Sequence, residues 1–255
     1  MSFESVQQRW DGFLDKIEDR FHNTLKKAEE VLPTLLDYQN FETGSFINAW
    51  NGISMQAKNL INKIENSWDD KVEQAFENED DNSEGFSKKI GIERDKLYET
   101  QERLENELKS YEVRTYANAA KKLVQKAKEE LSKDFLCTQC NAKLNVKDNF
   151  FRSYYQICEF CTTTNTFEPG SIARMVEHFA LNALGEEAAL NEYFQYVKIQ
   201  KLRTENNATR KDVLKAYRSY IEKFLNKRIE IIPEYEKRYE KDIEAKLEFI
   251  QKTTF

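Results

Sequence analysis

Residues 137–161 read CTQCNAKLNVKDNFFRSYYQICEFC, so Cys137 and Cys140 form one Cys-x2-Cys pair and Cys158 and Cys161 a second, seventeen residues on. Two such pairs at this separation match the spacing of a closed tetrahedral four-thiolate site, for which zinc is the usual ion. The chain of 255 residues has no other cysteine, so no thiol is left over for another task. Two other readings of the tetrad stay open at this level: iron in a four-thiolate site, or a pair of disulfides. A ribbon of about thirty residues buries too little apolar surface to fold alone, so a bound metal has to supply much of its stability, on the order of 10–16 kcal/mol. The expected cofactor is one structural Zn2+ per chain, held by Cys137, Cys140, Cys158 and Cys161.

Each pair has to sit on a tight knuckle that aims both sulfurs at one ion. Asn141 follows the first pair and tolerates the left-handed backbone such a knuckle needs, whereas Thr162, after the second pair, does not tolerate it well. Between the pairs, residues 149–157 are rich in aromatics (Phe150, Phe151, Tyr154, Tyr155) and predict a strand, with residues 162–167 as its partner. Alternation along that strand sends Phe151, Tyr155 and Ile157 to one face and Phe150 and Tyr154 to the other. The protein's own helices are expected to cover the aromatics; an exposed patch for a partner is the alternative.

Outside the ribbon the composition is that of long helices. One third of the residues are charged, and there are only seven Gly and three Pro to make turns. Trp10, Leu14, Ile17, Phe21, Thr24, Ala28, Val31 and Leu35 recur at steps of four and three, which is a heptad seam, and Pro33 interrupts it. After a break at Thr43-Gly44-Ser45, a second helix carries Trp50, Ile53, Ala57, Leu60, Ile64 and Trp68, predicting an antiparallel hairpin over residues 1–76. Residues 77–85 hold five acids and no apolar side chain and read as a solvated loop. A helical pattern then fills residues 86–135, either broken near Gly91 or long enough to make the protein elongated. The ribbon occupies 136–168. Residues 169–255 predict a C-terminal helical bundle, with Ser171 capping a helix that Gly185 stops, followed by helices over 186–203, 209–232 and 233–252. The fold class is therefore mainly α: an extended bundle of helical, coiled-coil-like hairpins with a small β zinc ribbon inserted.

The charge balance is 39 basic against 45 acidic residues, and the excess acid lies before the ribbon. Residues 198–228 are locally basic, and Lys198, Lys201, Arg203, Arg210, Lys211, Lys215 and Arg218 form the candidate contact for nucleic acid or an acidic partner, with Tyr217 and Tyr220 as stacking surfaces. An ordinary solvated helix face explains the same charges, and an acidic chain is an unusual nucleic-acid binder. Catalytic patterns are lacking: there is no Gly-x-Ser-x-Gly, no phosphate-binding glycine loop and no His-Glu-x-x-His. His22 and His178 read as helix surface residues. No run of eighteen apolar residues occurs, and the first ten residues contain no apolar signal core, so the expectation is a soluble, cytoplasmic protein without a membrane role. The functional expectation is a non-enzymatic scaffold or adaptor with protein partners, a homodimer among them, and no small-molecule substrate. The alternative is a nucleic-acid-associated factor.

Overall fold

The computed structural model describes residues 2–37, 41–77, 85–145 and 152–254. The core of the acidic loop, 78–84, and the ribbon aromatics Phe150 and Phe151 lie outside these. The chain is mainly helical, with long helices and two small two-stranded sheets that carry the cysteines. It divides into two compact units, Met1–Asp37 with Glu42–Glu112, and Tyr38–Phe41 with Val113–Phe255.

The first unit is built on α1 (Phe3–Val31), α2 (Gly44–Ser67) and the first part of α4 (Phe86–Leu131), with a π-helical turn over Trp68–Val72 leading into the short α3 (Glu73–Glu77). Ser2 caps α1 by accepting from the Ser5 N–H. The helical hairpin expected from the heptad pattern forms, and its seam is covered within the chain: Trp10 meets Trp68 edge-on at 5.3 Å, and Trp10, Ile17, Phe21, Trp50, Ile64 and Trp68 are all buried. The seam drifts, however. Leu25 and Leu32 are buried where the heptad put Thr24 and Val31, and Ile61 replaces Leu60, because a straight helix of 3.6 residues per turn slips about 20° per heptad. Glu93 is buried in this unit, where Oε1 accepts from Gln7 at 2.6 Å and Oε2, without a hydrogen bond, lies 2.8 Å from the Lys96 ammonium.

Of the two alternatives for this segment, the break near Gly91 is absent, since α4 runs unbroken for 46 residues. One glycine in a helix interior costs about 1 kcal/mol, and the burial of Leu97, Leu104 and Leu108 outweighs it.

The second unit holds the end of α4, the ribbon and α5 (Gly170–Met175), a π-helical turn (Val176–Ala180), α6 (Leu181–Ala188), α7 (Leu190–Thr204), α8 (Arg210–Ile231), a 3-10 turn (Pro233–Arg238) and α9 (Tyr239–Thr254). Its core joins Ala117, Ala120, Leu123 and Ala127 of α4 to Val176, Ala180, Leu181 and Leu184. Gly185 does not stop its helix; α6 continues through it. A Cβ there would lie 2.8 Å from the Phe224 ring and 3.2 Å from the Phe224 carbonyl oxygen, so the glycine serves the close packing of α6 on α8. Thr209 and Asp212 close a reciprocal capping box at the start of α8, at the residue where a helix over 209–232 was expected to begin. Ser171 is the second residue of α5, not its cap; Pro169 holds the cap position.

Candidate metal centre

The ribbon consists of two antiparallel pairs: β1 (Phe135–Leu136) with β2 (Lys143–Leu144), and β3 (Tyr154–Ile157) with β4 (Thr164–Phe167). Each pair carries one cysteine knuckle. In the first, the Asn141 N–H donates to the Cys137 carbonyl at 3.0 Å and the Cys137 N–H to the Ala142 carbonyl at 2.8 Å. The second repeats this pattern, with Thr162 N–H on the Cys158 carbonyl and Cys158 N–H on the Thr163 carbonyl, both at 2.9 Å. The residue after each pair is left-handed, Asn141 at φ 56° and Thr162 at φ 61°. The second knuckle thus takes the same form as the first and carries the strain of a β-branched residue at positive φ, about 1–2 kcal/mol.

The two knuckles face each other and bring all four sulfurs within 4.8 Å of one another. Cys137 Sγ lies 3.5 Å from Cys161 Sγ, and Cys140 Sγ 3.6 Å from Cys158 Sγ. A tetrahedral ion with metal–sulfur bonds of about 2.3 Å requires sulfur–sulfur edges of about 3.8 Å, so the cluster has the dimensions of a four-thiolate site. Disulfide sulfurs would be about 2 Å apart, and all four cysteines are free. Four cysteines at these distances could hold one metal ion, with no side available for a water ligand.

Donors to sulfur surround the cluster. Backbone N–H groups of Cys140 and Gln139 lower the Cys137 thiol to about 6 against the cost of burial, with lesser help from the Asn165 amide and the Cys161 thiol. The Thr163 hydroxyl and backbone N–H lower Cys161. At Cys140 the Ala142 N–H favours the thiolate, but the Cys161, Cys158 and Cys137 sulfurs, with burial, push the thiol up to about 12. So many sulfurs in one place oppose full ionisation until a cation joins them.

Asn165 is the site residue that reading the sequence missed. It is buried on β4, where Oδ1 accepts from the Thr138 N–H at 2.9 Å and the Thr138 hydroxyl at 3.0 Å. Its Nδ2 donates to the Thr163 carbonyl at 3.0 Å and approaches Cys137 Sγ at 3.5 Å. One amide therefore ties the first knuckle to the second and orients a ligand from behind. The signal was strand alternation: Asn165 and Phe167 share one face of β4, and a polar residue at such an inward position needs a reason.

The other ribbon face is open. Tyr154 stacks on Phe167 at 4.8 Å, and Phe135 meets Phe167 edge-on, whereas Tyr155 and Ile157 are 75% and 64% exposed and Phe160 of the second knuckle is 78% exposed. The expected cover by the protein's own helices is absent at Tyr155 and Ile157. What fastens the ribbon root is charge: Arg152 pairs with Glu177 and lies 3.5 Å from Glu234, while the Tyr235 hydroxyl donates to Glu177 at 2.7 Å. Arg152 in turn holds the Glu177 carboxyl at about 2, with burial opposing and the Tyr235 hydrogen bond helping.

The candidate basic residues gather on the α7–α8 hairpin. Lys198, Lys201, Arg210, Lys211, Lys215 and Arg218 are exposed and Arg203 is half-buried; Arg218 pairs with Glu222 at 3.3 Å. Tyr217 and Tyr220 are not stacking platforms. They pack with Tyr196 and Tyr193 between the helices, and burial pushes the Tyr196 and Tyr217 hydroxyls up. His22 lies on the surface against Glu107 at 3.1 Å, and His178 is exposed, as expected of both.

No family model matches the chain, and neither a curated protein nor a solved structure matches it. Among the described residues, no helix is long and apolar enough to cross a membrane.

Proposed function

We propose that this protein is a non-enzymatic scaffold or adaptor whose ribbon is stapled by one structural zinc ion and presents an apolar face to a protein partner. The observation that carries this reading is the closed cluster of four sulfurs, with Cys137 and Cys158 buried, Asn165 behind Cys137 and backbone donors around it, and with bulky side chains standing outward from the same ribbon. A four-thiolate site has no open position for substrate or activated water, so its metal supplies rigidity and not chemistry. Zinc suits it better than iron because a structural site needs no redox change, and reduced thiols suit the cytoplasm. The rigid ribbon lets Tyr155, Ile157 and Phe160 dock with little loss of conformational entropy. The nucleic-acid alternative keeps the charge of the α7–α8 hairpin but loses the stacking surfaces that would accompany it.

The test compares proteins recovered with the full-length chain from its native host with those recovered by Phe160→Ser and Tyr155→Ser. Loss of a defined partner in both, with metal content and helicity unchanged, supports the reading. A partner retained by both variants but released by moderate salt, together with nuclease-sensitive recovery, contradicts it in favour of the alternative.

A further inference from the structure

Two grooves run along α1, and they differ in how their charges are disposed. The one between α1 and α4, about 320 Å³, is lined by acids and bases that pair across it: Lys96 with Asp11 at 2.8 Å and Arg103 with Glu18. The other, between α1 and α2, is about 650 Å³ and has no carboxylate in its lining. Its walls are Arg20, Asn23 and Lys27 from α1 and Gln56, Asn59 and Lys63 from α2. Among the described residues, the three cations form no ion pair and the three carboxamides make no side-chain hydrogen bond, in contrast to the paired charges of the α1–α4 groove.

The spacing is the same on both helices, i, i+3 and i+7, which puts all six heads on facing stripes. The helices are antiparallel, as the Trp10–Trp68 contact requires, so Arg20 and Lys63 share one end of the groove and Lys27 and Gln56 the other. Seven residues at 1.5 Å each set the ends about 10 Å apart. Thr24 in the middle spends its hydroxyl on the Arg20 carbonyl at 2.8 Å, and Leu60 is the only apolar side chain in the lining.

We propose that this groove binds a small polyanion bearing several phosphate groups in a row. Three unneutralised cations kept together in a chain of net charge −6 repel one another until an anion arrives, and guanidinium, ammonium and carboxamide N–H groups all donate to phosphate oxygens. An acidic partner helix fits less well, because Leu60 is the one apolar residue in the lining and the rest of the apolar surface belongs to the stems of polar side chains. The shared chemistry is the phosphate chain, free or attached to a nucleoside.

Calorimetric titration of the full chain with inorganic tripolyphosphate, ATP and orthophosphate tests this. Tripolyphosphate is expected to bind one per chain, about tenfold tighter than orthophosphate, the gain from two added exposed charge contacts. Equal affinity for ATP identifies the phosphate chain alone as the ligand, and tighter ATP binding adds the nucleoside through the carboxamides; both support the site. The triple substitution Arg20→Gln, Lys27→Gln, Lys63→Gln is expected to abolish the preference with an unchanged melting temperature, while Lys198→Gln, Lys211→Gln, Lys215→Gln on the α7–α8 hairpin leaves it intact. No binding at millimolar ligand overturns the proposal. Binding that survives the first triple variant overturns it equally.

Discussion

Asn165→Ala removes one buried amide and with it the tie between the two knuckles. The substitution leaves the Thr138 N–H, the Thr138 hydroxyl and the Thr163 carbonyl to find new partners in a region where Asn165 is 2% exposed. Each buried backbone group left unsatisfied costs about 1–3 kcal/mol. Thr138 is an exposed residue and water recovers part of this, so a net loss of about 1–3 kcal/mol for the ribbon is expected. Because ribbon folding and metal binding are one equilibrium, the loss appears as weaker metal binding. Groups that orient ligands from behind are typically worth about 10–100-fold in metal affinity. The assay is competition of the zinc-loaded chain against a chelator of known affinity, read by release of metal. Asn165→Asp sharpens the test: it keeps the acceptor for Thr138 but replaces the donor near Cys137 Sγ with a negative charge, so it should be at least as damaging as alanine. An affinity within about twofold of wild type in both variants would refute the assigned role of Asn165.

Other outcomes follow from the same geometry. Thr162→Asn places a residue that tolerates positive φ at the second knuckle and should raise ribbon stability by about 1 kcal/mol, read from chelator competition; a decrease counts against the strain argument. Gly185→Ala should lower stability by about 1–3 kcal/mol in urea despite its better helix propensity, because its Cβ meets the Phe224 ring and carbonyl. Glu177 is held at about 2 by Arg152, below its ordinary 4.5, so its contribution is complete above about pH 4.5 and disappears as pH falls through about 2. Arg152→Ala should therefore flatten the acid limb of stability in that window, by about 1 kcal/mol once solvent screening of the half-exposed guanidinium is counted.

The four-sulfur cluster was legible because four thiols at fixed spacing leave few alternatives, and the same spacing located the knuckles to the residue. Asn165 was harder, since asparagine in a Thr-rich segment reads as a surface strand until the direction of alternation is known. The helices were visible as apolar periodicity, but their registers were not: a strict heptad and a 3.6-residue helix agree at Trp10 and part company by Leu25. Gly185 was read as a stop, and Gly91 as one of two alternatives for its segment, from local propensity, and in both cases burial of neighbouring side chains overrode it. The strands β1 and β2 have two residues each, too short for any period to show. The inward turn of Tyr217 and Tyr220 depended on how α7 meets α8, which no local pattern records.

Elemental analysis of the purified full-length chain, beside a Cys158→Ser variant, tests the central claim most directly. One zinc per chain is predicted for the wild type. The variant should lose the metal and the ribbon's order, with most helical signal retained. A folded wild-type chain without stoichiometric metal, or a Cys158→Ser variant that keeps its zinc and its stability, would contradict it.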